Sequence, residues 1–187
     1  MNLTDWWSRV RTAIANCSSC NDLVSSKPFI EYKVYENYAP SELRVLIVSE
    51  SPPPGNTQSF LYNTSSFDRL RRLLSRIFGV PENKVLDWLK SRNCFWSMAI
   101  KCRPKDKRYV RRMWLNCLPI LRLEISARPQ VVIALGRIAQ RAVKTALANS
   151  DYEGITIHEN YHPLYVQRFM RDYLDDYASW LRGVIGN

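Results

Sequence analysis

The stretch Cys94-Phe-Trp-Ser-Met-Ala-Ile100 followed by Lys101-Cys-Arg-Pro-Lys-Asp-Lys-Arg108 decides the fold. Its first half is rich in β-formers and short enough for a strand. Immediately after the second half, Tyr109 to Ser126 carries apolar residues at Val110, Met113, Trp114, Cys117, Leu118, Leu121 and Ile125. These steps of three and four are helical. A strand, a dense basic loop and a long helix in succession form the unit of a parallel α/β sheet, where ligands bind at the carboxyl ends of strands. A Lys/Arg-rich loop at that end would meet something anionic. Cys102 is expected just past the strand end and Cys117 on the following helix.

Outward from this unit the alternation repeats. Leu43-Arg-Val-Leu-Ile-Val48 is the clearest buried strand and runs into Ser49-Glu50-Ser51-Pro52-Pro53-Pro54-Gly55. Val131 to Leu135 and Gly154 to His158 read as two more strands. Helices are predicted from Leu3 to Asn16 with Asn2 or Thr4 as cap, from Ser66 as cap to Phe78 with Gly79 as stop, and from Pro81 to Arg92. Two further helices run from Gly136 to about Asn149 and from Leu164 to Ile185. In the helix to Phe78, the spacing turns Phe67 inward and Arg71 outward. From Asn21 to Ser41 no period is visible, which predicts a long surface loop. The pattern argues a mostly parallel sheet covered on both sides, in a single domain over residues 1-187.

A formal net charge of +10 favours a polyanionic partner, with nucleic acid ahead of a membrane surface because no long basic amphipathic helix dominates. Five cysteines in 187 residues do not make a small disulfide scaffold. Neither a signal-peptide pattern nor a run of transmembrane length is present. The expectation is an intracellular monomer, cytoplasmic or nucleoid-associated, with cysteines reduced or metal-bound and no membrane partner. Walker A, G-x-G-x-x-G and G-x-S-x-G patterns are absent, which leaves nucleotide-dependent and acyl-transfer enzymes without support.

Glu50 stands out as a carboxylate on a stiff, proline-fixed loop at a strand end, a geometry that suits catalysis, although turn acids are common there. Phe60 and Tyr62 either pack inward or offer stacking faces to a base. Cys17-Ser-Ser-Cys20 can place two sulfurs on one metal centre, and with Cys102 and Cys117 gives a four-thiolate set. Zinc and an iron–sulfur cluster both accept four thiolates, and spacing does not choose between them. A redox disulfide usually opens a helix after a strand, whereas this pair follows a helix.

Taken in order, Cys17-Ser-Ser-Cys20, Ser49-Glu50-Ser51-Pro52, Met98-Ala-Ile-Lys-Cys102-Arg-Pro, Cys117, Ala134-Leu-Gly-Arg137 and Tyr161-His162-Pro163 resemble the uracil-DNA glycosylase superfamily. The match is nearest to its iron–sulfur family 4 and spans Cys17 to about Arg168. The resemblance implies a three-layer α/β/α sandwich with a four-stranded parallel sheet. It also implies a [4Fe–4S] cluster on Cys17, Cys20, Cys102 and Cys117, and excision of uracil or another deaminated base flipped out of DNA in base excision repair. Glu50 and His162 would be catalytic. Ser51, Met98 and Phe60 or Tyr62 would meet the base, while Lys105, Lys107, Arg108 and Arg168 would hold DNA. Cys94 has no counterpart and is expected in the core, and His158 is expected to be structural. Met98 stands where family 4 has an asparagine that reads the uracil edge, which predicts relaxed base discrimination. A non-catalytic iron–sulfur DNA-binding protein of the same fold is the alternative reading.

Overall fold

The computed structural model describes residues 3–148 and 154–186. In chain order these form α1 (Leu3–Asn16), β1 (Val24–Ser26), α2 (Pro28–Glu31), α3 (Val34–Tyr38), β2 (Val45–Ser49), α4 (Arg69–Phe78), α5 (Val85–Lys90) and β3 (Cys94–Met98). There follow β4 (Arg103–Pro104), α6 (Val110–Ile125), β5 (Val131–Leu135), α7 (Arg137–Leu147), β6 (Thr156–Asn160), α8 (Pro163–Phe169) and α9 (Leu174–Gly186). Asn2 and Asn149, expected as a cap and a helix end, lie outside the described residues.

All four expected strands pair, in the order β3-β2-β5-β6 and parallel throughout. The register sets Val45 beside both Cys94 and Val131, and Val131 beside Thr156. β2 and β3 are buried at every position. That is why they read as apolar runs rather than as alternating strands. From β2 the chain crosses to β3 through α4 and α5, then reverses through α6 to β5 and through α7 to β6. Since such crossovers are right-handed, reversing direction puts the two helix sets on opposite faces. α7 packs on β2 and β5, α6 on α7, and α5 on β3, while α4 packs with α8 and α9. The arrangement is the α/β/α sandwich that the resemblance implies. Among the described residues no helix is long and apolar enough to cross a membrane.

Three expectations need correction. The segment 21–41 is no surface loop: it contains β1, α2 and α3 and buries Phe29, Val34 and Tyr35. Helices of four and five residues are too short to show a period. In addition, Lys27 donates its ammonium to the carbonyls of Ile14 at 3.1 Å, Ala15 at 2.7 Å and Cys17 at 2.8 Å. This satisfies the carbonyls that the end of α1 leaves open. Second, the cap of α4 is Asp68 rather than Ser66, with Oδ1 accepting the Arg71 N–H at 2.9 Å. Phe67 falls outside the helix and is 53% exposed, whereas Arg71 is buried, its guanidinium donating to the carbonyls of Leu61, Asn63 and Ser66. Third, the final helix breaks at Met170 into α8 and α9.

Candidate active site

The sheet reverses its direction of growth between β2 and β5, and a crevice is expected beyond the carboxyl ends of strands at such a point. A cavity of about 670 Å³ opens there. Each strand of the sheet contributes at or just beyond its end: β2 gives Ser49, Glu50 and Ser51, β3 gives Met98, β5 gives Leu135 and Gly136, and the turn after β6 gives His162. The backbone ladder continues into the site, with the Ala99 N–H donating to Ser49 O at 2.7 Å and Ile100 N–H to Glu50 O at 3.0 Å. Arg103 is buried and reaches back to the carbonyls of Pro53 and Ser59. The loop that carries Glu50 is therefore tied at both ends.

Burial raises the pKa of Glu50 above the ordinary carboxylate value, and nearby Lys107, which also lines the cavity, works the other way. His162 caps α8, its Nδ1 accepting the Leu164 N–H at 3.3 Å. Burial brings its pKa down to about 4, with Asp68 opposing. The ring is neutral near pH 7, and with Nδ1 accepting, the proton sits on Nε2. Gly136, at φ +93°, passes beside His162, and a Cβ added to this glycine would lie 3.7 Å from the His162 Cβ, an ordinary contact. The cavity lining thus includes both a carboxylate and a neutral imidazole. Met98, Leu61, Leu70, Val110, Leu135 and Leu164 give apolar wall.

Phe60 and Tyr62 do not line this cavity. Both are buried: Phe60 packs against Phe29 and Tyr32, while Tyr62 donates its hydroxyl to Trp96 O at 2.6 Å and packs against Tyr38 and Phe95. A base-stacking role is inconsistent with this placement, because neither ring has a face left to offer. The aromatic rings that do line the cavity are Phe67 and Tyr165, 53% and 47% exposed. Arg72 lies 4.5 Å over the Phe67 ring.

Asp68 escaped the sequence reading. It lines the cavity although it is only 3% exposed, and its Oδ2 accepts from the Ser59 hydroxyl at 2.8 Å. Its one signal in the sequence is an acid before an amphipathic run, which says only helix cap.

The basic run 101–112 divides. Lys101 is buried against Glu124 at 2.6 Å and Arg103 holds the Glu50 loop. Lys105 donates to Asp22 O at 2.9 Å, and Arg108 pairs with Asp106 at 3.5 Å. Only Lys107 among them faces the cavity, and Arg168 lies in an adjoining groove. Cys94 is buried in the core, and His158 stands in β6 with its ring centroid 6.4 Å from that of Trp180.

Cys17, Cys20, Cys102 and Cys117 line a single small void together with Lys27, Met113 and Asn116. The Asn116 side-chain amide donates to Cys20 Sγ at 3.1 Å. Burial pushes the Cys102 thiol up to about 12 and Cys117 to about 11. Among the described residues no three His, Cys, Asp or Glu side chains are grouped to hold a single ion. Four thiols lining one void are the donor set that a thiolate-bound metal centre requires, and this lining does not choose its nuclearity.

A crystal structure of wild-type Pedobacter heparinus SMUG2 superposes with a TM-score of 0.58, covering 97% of this chain and 99% of that one at 11% identity, a likeness of fold. The type-5 uracil-DNA glycosylase of Pyrobaculum aerophilum is 25% identical over 189 residues, covering 84% of this chain and 82% of the relative. Residues 36–182, which carry the whole sheet and every residue of the cavity, match the uracil DNA glycosylase superfamily, and this chain belongs to it.

Proposed function

We propose that the chain is a DNA glycosylase that hydrolyses the N-glycosidic bond of uracil or another deaminated base, flipped out of DNA, in base excision repair. The observation that carries this reading is a cavity lined by both the Glu50 carboxylate and the neutral His162 imidazole. As the bond from sugar C1′ to the base nitrogen breaks, its electron pair leaves with the base and positive charge develops on the sugar. His162 donates its Nε2–H to the base oxygen that gains charge. Glu50 faces the cation and orients a water, which bonds to C1′ and gives its proton to the carboxylate. The extraction of the nucleotide costs a few kcal/mol of unstacking, which the apolar wall helps to offset. The name of the Pyrobaculum relative supports uracil as a substrate. Met98, which lacks an amide, supports a broader set of bases.

Cys17, Cys20, Cys102 and Cys117 would hold a [4Fe–4S] cluster, whose contribution is structural: it staples the segment after α1 to the loop after β3 and to α6. No catalytic step needs it.

A single-turnover assay on oligonucleotides carrying uracil, hypoxanthine or xanthine tests the reading. An alkali-labile abasic site on at least one substrate is expected. Intact DNA across the whole panel would overturn the assignment.

A further inference from the structure

Beside the catalytic cavity lies a second, open groove of about 750 Å³ that shares Arg69, Leu164 and Tyr165 with it. Arg76, Arg168 and Arg171 also line the groove, and no acid does. None of these four arginines is ion-paired among the described residues. Tyr161, Tyr165 and Phe169 recur every fourth residue, with Tyr161 stacked on Tyr165 and Tyr165 tilted at 46° to Phe169, and the last two line the groove. Centroids are 5.4 Å apart for Tyr161 and Tyr165, with planes at 18°, and 4.9 Å apart for Tyr165 and Phe169. These rings are 49%, 47% and 61% exposed, an unusual concentration of aromatic surface in water.

Arginines without counter-ions call for anions, and Tyr165 and Phe169, met by Tyr161 and by the Arg168 guanidinium at 5.0 Å respectively, keep exposed surface that calls for flat apolar rings. Paired duplex DNA supplies the phosphates but hides its base faces, and an acidic peptide supplies charge without rings. An unpaired nucleotide run supplies both at once. We propose that this groove binds unpaired DNA of the same strand, next to the flipped base, with Tyr165 and Phe169 stacking on bases and Arg168 and Arg171 meeting phosphates. The identity of the strand rests on the glycosylase reading, because the wall shared through Arg69 and Tyr165 makes groove and cavity continuous.

Fluorescence anisotropy with a short, undamaged single-stranded oligonucleotide, read across a salt series and beside its duplex, tests the groove. Phe169→Ala should weaken single-strand binding roughly five- to a hundredfold, as loss of one stacked base does, and leave the salt slope unchanged. Arg168→Ala with Arg171→Ala should flatten that slope by about 1.4, two phosphate contacts at ~0.7 each. Phe169→Trp should retain binding. Duplex affinity should change less than single-strand affinity in every variant. Unchanged single-strand affinity in the alanine variants, or an equal loss on duplex, would overturn the groove. A protein that binds the strand this way yet leaves no abasic site on any damaged base would overturn the glycosylase reading and leave the groove standing.

Discussion

One cause, burial, moves the pKa values of Glu50 and His162 in opposite directions. Burial raises the carboxyl pKa and lowers that of the imidazole, so each is pushed toward its neutral form. In the proposed reaction the base-facing donor works neutral and the sugar-facing acid works charged. Excision should therefore fall as pH drops through the raised Glu50 value, whereas His162, with a pKa of about 4, adds no step near the ordinary imidazole value. Glu50→Gln and His162→Ala should each lower the single-turnover rate by roughly a hundredfold or more, and Glu50→Gln should also remove the acid limb. A limb near pH 6.5 that survives in Glu50→Gln would put an imidazole ionisation in control instead. At Met98, an apolar side chain faces the cavity at the end of β3, where it can exclude water but cannot select between base edges. Met98→Asn should raise uracil excision relative to hypoxanthine and xanthine in the same assay, and an unchanged ratio would assign base reading to other walls.

Among the elements, those buried on both faces were legible, because strands such as β2 and β3, buried at every position, are near-continuous apolar runs in which only Ser49 and Ser97 are polar. Glu50, Ser51, Met98 and His162 share one cavity because each sits at or just beyond a strand end, and parallel strands bring their ends together. What the sequence hid was decided by tertiary demand. Of several arginines on α4, Arg71 is the buried one because the irregular loop before it leaves the carbonyls of Leu61, Asn63 and Ser66 in need of donors. The Lys101–Glu124 pair is another such case. Nothing in a basic run marks Lys101 as 1% exposed, yet its ammonium reaches Ser97 Oγ, the Met98 carbonyl and Glu124, joining the end of β3 to α6. Tyr35 completes the group, donating to Glu124 Oε1 at 2.8 Å. Lys101→Met leaves a buried carboxylate without its cation and should cost ~3–5 kcal/mol in denaturant unfolding. Adding Glu124→Leu to it should recover most of that loss. Were the double variant as unstable as the single, the pair would matter through packing rather than charge.

For the molecule as a whole, the cysteine void joins three separate parts of the chain: the turn after α1, the loop after β3 and the middle of α6. α1 itself does not depend on that junction, since Trp6, Trp7, Val10 and Ile14 are buried in the main core and Lys27 caps its end. Cys20, Cys102 and Cys117 belong instead to a smaller apolar cluster with Leu23, Ile100, Val110 and Met113. The proposed [4Fe–4S] cluster should therefore stabilise locally. Protein purified without oxygen should be brown, with broad absorption near ~400 nm and bound iron and sulfide. Removing the iron, or Cys102→Ser, should raise amide exchange over residues 17–27 and 100–109 and leave the interior of α1 and the sheet protected. Because the segment 100–109 includes Lys107 at the cavity and Arg103 behind the Glu50 loop, the same loss should weaken DNA binding before it unfolds the protein. One equivalent of zinc with no iron or sulfide would replace the cluster by a single ion. Exchange that rises equally over the whole chain would mean that the void anchors the entire fold rather than one corner of it.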